Sequence, residues 1–112
     1  MDIKFELRYK IWLDRNGKAF GDGPLELLKN IEKNGSLSKA AKEMNMSYSQ
    51  AWNLLNTIEK RLGIKLVVSK AGGENGGGSE VTDEAKALMK KYEEFREKVD
   101  NSLCSIFNEI FN

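Results

Sequence analysis

A chain of 112 residues, 40% hydrophobic and 31% charged, has the size and balance of one ordinary soluble domain. No apolar run approaches the roughly 20 residues that a membrane helix needs. The opening Met1-Asp2-Ile3-Lys4-Phe5-Glu6 alternates apolar and charged residues, unlike a secretory signal, so a cytoplasmic location with no membrane partner is expected. There is no histidine, and the one cysteine, Cys104, has nothing to pair with. Zinc sites and histidine-based triads are thereby disfavoured, and neither a metal, a cofactor nor an enzyme activity is expected.

The formal net charge is +1, but its distribution is uneven. Between Ser36 and Lys70 the basic Lys39, Lys42, Lys60, Arg61, Lys65 and Lys70 face only Glu43 and Glu59, while the last third is acidic. A basic stretch is the electrostatic footprint of a phosphate-binding face, although chance fluctuation of surface charge produces the same count.

In chain order, Ile3, Phe5, Leu7, Tyr9, Ile11 and Leu13 alternate with charged residues, which predicts a half-buried strand from Ile3 to Asp14. Asp14-Arg15-Asn16-Gly17 is turn chemistry. Pro24 suits a first helical position, and Leu25, Leu28 and Ile31 recur at three-residue spacing up to Gly35. A helix over 24–34 is predicted.

Ser36 is placed to cap a short second helix with Leu37, Ala40, Ala41 and Met44 as its apolar side, stopped at Asn45. Ser47 is placed to cap a third helix over 48–62, whose buried stripe is Ala51, Leu54, Leu55, Ile58 and Leu62 and whose stop is Gly63. Two helices with so short a break, small residues on the first and a serine cap on the second, fit a helix-turn-helix. A plain helical hairpin shows a similar pattern.

Ile64 to Val68 has strand composition, a loop must follow through Gly72–Gly78, and Ser79-Glu80-Val81 can return as a second strand. That is a hairpin in the position of a wing, with a flexible linker as the alternative. The glycines lack the Lys-Ser/Thr of a nucleotide loop, since Ser79-Glu80 follows them. Thr82 then caps a last helix with Asp83 and Glu84 in its first turn. Along it Ala85, Leu88, Tyr92, Phe95, Val99, Leu103, Ile106 and Ile110 step by threes and fours. The stripe is too long for so small a domain to cover, so a partner chain is expected on it.

The run Gly35-Ser36-Leu37-Ser38-Lys39-Ala40-Ala41-Lys42, then Met46-Ser47-Tyr48-Ser49-Gln50-Ala51-Trp52, then the glycine-rich loop and Val81-Thr82, resembles the N-terminal domain of the molybdate-responsive regulator family ModE. That domain is itself related to the DNA-binding domain of LysR-type regulators, and the resemblance covers nearly the whole chain. It implies a winged helix, a homodimer and a palindromic operator in double-stranded DNA. The expected fold is mainly α with a small β-sheet. It is a winged helix-turn-helix over 1–81 with an N-terminal strand, followed over 82–112 by a long C-terminal dimerisation helix.

By position the recognition helix is 47–62 and the wing 64–81. Where the family usually carries a lysine in the wing, this chain has Glu74 and Asn75, and a carboxylate near a phosphate costs affinity. The family binds molybdate through C-terminal β domains, so the 112-residue chain alone is expected to bind none.

The expected DNA-binding residues are Ser36, Ser38, Lys39, Ser47, Tyr48, Ser49, Gln50, Asn53, Asn56, Lys60, Lys65, Lys70 and Asn75, with Lys42 a further phosphate candidate. Gln50 and Asn53 are of the type that pairs bidentately with adenine edges. Trp52 is expected to pack rather than to read bases. The expected dimer seam is Leu88, Tyr92, Phe95, Val99, Leu103, Ile106 and Phe107. The competing reading is a protein-interaction module on a helical dimer with a vestigial wing.

Overall fold

The computed structural model describes residues 2–70 and 78–112. Its elements, in order, are β1 (Trp12–Asp14), β2 (Lys18–Gly21), α1 (Asp22–Asn34), α2 (Leu37–Glu43), α3 (Tyr48–Leu62), β3 (Val67–Lys70), β4 (Gly78–Val81) and α4 (Asp83–Phe111). The fold is the expected one: mainly helical, with two small antiparallel hairpins, a winged helix-turn-helix and a long last helix.

The opening strand is much shorter than its alternation predicts. Only Trp12–Asp14 enters a ladder, paired with Lys18–Gly21 across a turn in which Asn16 (φ 56°) and Gly17 (φ 121°) take positive φ. Arg61 of α3 closes over that turn, donating from Nη1 to the Lys18 carbonyl at 2.5 Å. The positive φ favours glycine at Gly17, and a Cβ there would lie 2.7 Å from the Arg61 guanidinium carbon, so a side chain would also have to displace that clasp.

β2, which the sequence reading left without an element, brings Ala19 and Phe20 into the core. Phe20 there meets Tyr92 of α4 edge-on, centroids 5.2 Å apart. Around them pack Leu27, Leu28 and Ile31 of α1, Leu55 and Ile58 of α3, and Leu66 ahead of β3.

The helix boundaries follow from local capping chemistry. Ser36, Ser47 and Thr82 each accept from a backbone N–H three residues on, at 3.2, 3.0 and 3.1 Å. Gly35 and Gly63 end α1 and α3 in the left-handed region.

α4 is seated in the core by its first part, where Ala85, Met89 and Tyr92 are buried. Tyr92 is thus not on an open seam as its place in the stripe suggested. It is 1% exposed and donates its hydroxyl to Asp22 Oδ1 at 2.6 Å. Burial first, then the Asp22 carboxylate, raises its pKa well above the ordinary value. Beyond Tyr92 the helix leaves the core. The Cα radius of gyration is 17.3 Å, against about 13 Å for a compact domain of this length. Among the described residues no helix is long and apolar enough to cross a membrane.

Candidate nucleic-acid interface

α2 and α3 cross at close range because the contact is made of alanines. Ala40, Ala41 and Ala51 are all buried. The intervening turn is set by Asn45 (φ 55°) and by the Met46 N–H donating to the Ala41 carbonyl at 2.9 Å. With Ala51, Leu55 and Ile58 turned inward, α3 presents Ser49, Asn53 and Lys60 on its exposed face, with Asn56 half-buried beside them. These expected DNA contacts lie together on one helix face.

Gln50 is differently engaged. Its Oε1 accepts from the Ser47 N–H at 2.9 Å while Ser47 Oγ accepts from the Gln50 N–H, a reciprocal capping box. The carboxamide assigned to base reading is therefore partly committed to holding the start of the recognition helix. Ser47 likewise serves as the cap. Gln50→Ala is expected to lower the melting temperature, at a cost of roughly 0.5–1.5 kcal/mol for the lost hydrogen bond. Gln50→Glu, which keeps the acceptor, should melt close to the parent. Equal melting of the alanine variant and the parent in thermal unfolding would remove the structural role.

Tyr48 points outward, and Trp52 is 50% exposed rather than packed away. Both line one wall of a groove of about 370 Å³ whose other wall is Val67, Val68 and Ser69 of β3. The wing is anchored from below. Glu59 Oε2 accepts from the Leu66 N–H at 2.7 Å and more weakly from the Val67 N–H, so pairing in β3 begins at Val67, later than the predicted Ile64.

The return strand β4 docks on the α1–α2 turn. The Ser79 N–H donates to the Gly35 carbonyl at 2.9 Å, and Ser79 Oγ accepts from the Leu37 N–H at 3.3 Å. At Gly78 a Cβ would come within 3.1 Å of that same carbonyl, which accounts for a glycine there.

Ser38, Lys39 and Lys42 are exposed on α2 and Lys70 at the end of β3, while Ser36 is half-buried and engaged as the α2 cap. Lys65 is exposed and pairs with Glu59 at 3.7 Å. Arg61, part of the basic stretch, is spent on the β1–β2 turn. Asn75 and Glu74 lie outside the described residues. On α4, Leu88, Val99, Leu103 and Phe107 are half-buried and Phe95 and Ile106 exposed. The sequence reading missed the Glu59 anchor and the Arg61 clasp. The capping box was legible as Ser47-x-x-Gln50.

The sequence profile of the bacterial regulatory helix-turn-helix proteins of the lysR family matches residues 24–86, which runs from α1 into the first turn of α4. The chain is 38% identical over 76 residues to the molybdenum transport protein ModE of Azotobacter vinelandii, covering 68% of this chain and 28% of that protein. It is 35% identical over 77 residues to the DNA-binding transcriptional dual regulator ModE of Escherichia coli K12, covering 68% and 29%. It thus spans under a third of the length of these relatives.

Among solved structures, the DNA-binding domain of CbnR in its DNA complex superposes with a TM-score of 0.60 at 18% identity, over 79% of this chain and 95% of that one. The BenM DNA-binding domain in its benA site 1 complex gives 0.57 at 17% identity, over 80% and 96%. The chain belongs to the lysR family of bacterial regulatory helix-turn-helix proteins.

Proposed function

We infer that the protein is a sequence-specific DNA-binding transcription regulator that acts as a homodimer on a palindromic operator, in the cytoplasm where that DNA lies. The observation that carries this reading is the outward face of α3. Asn53 and Ser49, with Asn56 beside them, stand near the N-terminal half of a capped helix. In a helix-turn-helix that half enters the major groove, and asparagine is suited to adenine edges.

Lys39, Lys42 and Lys60 carry no ion pair among the described residues and are free to meet phosphates. The CbnR and BenM domains that share this fold were solved with DNA. The exposed apolar residues of α4 supply the dimer seam, which places two copies of α3 on two half-sites.

Duplex binding should weaken with salt. For about six phosphate contacts per dimer, log affinity falls with log salt at a slope of about −5. A salt titration by fluorescence anisotropy checks it. Binding that is absent at low salt, or indifferent to salt, would sink the reading and favour a protein-interaction module.

A further inference from the structure

Residues 3–10 carry the pattern of a strand yet belong to no ladder, and none of them makes a backbone–backbone hydrogen bond among the described residues. Every peptide group in a strand edge has to be satisfied by something. The segment runs against α4 in the opposite direction. Phe5 meets the ring of Phe111 edge-on at 5.4 Å, and Tyr9 donates to the Asp100 carboxylate with the Arg96 guanidinium 5.0 Å from its ring centroid. From Asp100 to Phe111 a helix rises about 16 Å. Four extended residues cover about 13 Å, so an extended stretch from Phe5 to Tyr9, helped by the reach of the side chains, matches that span.

This docking leaves much apolar surface open. Ile3, Phe5 and Leu7 remain 57%, 56% and 38% exposed, and on α4 Phe95, Ile106 and Ile110 stay exposed as well. An open strand edge and an open apolar helix face therefore occur on the same end of the molecule.

We propose that a second copy of this chain covers both, its residues 3–11 pairing antiparallel with these about a two-fold axis at Leu7. The proposal rests on the homodimer reading above and deepens it. Same-face pairing restricts the register, because an axis that sets apolar against charged positions would turn one strand inside out. Of the remaining choices, an axis at Leu7 sets Ile3 against the partner's Ile11, Phe5 against the partner's Tyr9 and Glu6 against the partner's Arg8. Only Lys4 meets a like charge, the partner's Lys10, near the ends where solvent screens it. An axis at Glu6 would oppose two glutamates, and one at Arg8 two arginines, both destabilising. An axis at Phe5 opposes no like charges but leaves Lys10 and Ile11 outside the pair, whereas an axis at Leu7 pairs the whole stretch from Ile3 to Ile11.

The α4 geometry points to the same axis. Leu7 shares a surface cavity with Cys104, Asp100 and Arg96. Cys104 lies near the middle of the stretch from Phe95 to Phe111 that leaves the core. A two-fold through Leu7 thus passes the centre of the free helix and sets the two helices antiparallel at once.

Directly opposed residues in an antiparallel pair have Cα atoms about 4.5–5.5 Å apart, inside the range a disulfide spans. In a Cys104→Ser background, which removes the exposed native thiol, Leu7→Cys should oxidise to a covalent dimer on a non-reducing gel. Lys4→Cys, whose own counterpart is six residues away along the pair, should not. Sedimentation is run on the same samples. A dimer in which Leu7→Cys fails to cross-link, or Lys4→Cys cross-links equally well, overturns the strand pairing and leaves the homodimer standing. A monomer in sedimentation overturns the homodimer reading and the pairing with it.

Discussion

Val99→Asp is expected to leave the winged domain folded and to turn the protein monomeric. Val99 sits between Phe95 and Leu103 on the part of α4 that has left the core. Burying each apolar side chain of the seam is worth roughly 1.5–3 kcal/mol. A carboxylate buried there on both chains costs several kcal/mol more. The dimer dissociation constant should therefore rise by at least about a hundredfold, a change of about 2.7 kcal/mol. Sedimentation equilibrium gives the constant, and thermal unfolding shows whether the head is intact. A variant that dimerises as tightly as the parent would place the seam elsewhere. Operator affinity should fall along with dimerisation, because a single half-site contact remains.

The second large effect is expected at Asn53. Its carboxamide is exposed on the helix face opposite Ala51 and Leu55, and it takes no part in the capping box that engages Gln50. Asn53→Ala should cost about 1–3 kcal/mol on the preferred site and little on random duplex. Lys60 lies two turns further along, where a lysine meets backbone rather than bases, so Lys60→Ala should weaken both DNAs alike and flatten the salt slope. Competition binding against a randomised duplex separates the two variants. If Asn53→Ala still discriminates as the parent does, the reading face lies on another side of α3, and the groove of Tyr48 and Trp52 becomes the first place to look.

What the sequence made legible was local. A serine or threonine cap and a left-handed glycine act on backbone groups within one turn of themselves, so Ser36, Ser47, Thr82, Gly35 and Gly63 marked helix ends that the structure places within a residue or two of the reading. What depended on a distant neighbour was not legible in the same way. The alternation from Ile3 to Asp14 gives the period of a strand but not its ladder, and within one chain only its last three residues, Trp12 to Asp14, find one. Asn16-Gly17 was itself a hairpin signal, and taking it as one would have predicted β2 and put Phe20 in the core.

Trp52 sits past the edge of the buried stripe of α3, while Tyr92 sits within the stripe of α4, where the period marks a residue as apolar but not what covers it. Asp22 and Phe20 draw Tyr92 in. At Trp52 the stripe has run out, and the indole is left on the groove wall. The polar face of α3 was legible because its members are what remains once the buried stripe is taken away. The double use of Gln50 was missed because a side chain was assigned one role when its spacing from Ser47 offered two.

α4 also works as a ruler. It runs for 29 residues without glycine or proline, capped by Thr82, whose hydroxyl also donates to the Lys65 carbonyl at the base of the wing. The head is thereby clamped to one end of a stiff rod, and the homodimer proposed above would have its seam on the other. Each residue of helix adds about 1.5 Å and turns the rod by about 100°, while successive major-groove faces of DNA recur about every 34 Å. In that proposed dimer the distance and phase between two recognition helices would be stored in how many residues separate Tyr92 from the seam. One residue more or fewer there would swing the heads out of phase with the duplex, however well each still matched its own half-site.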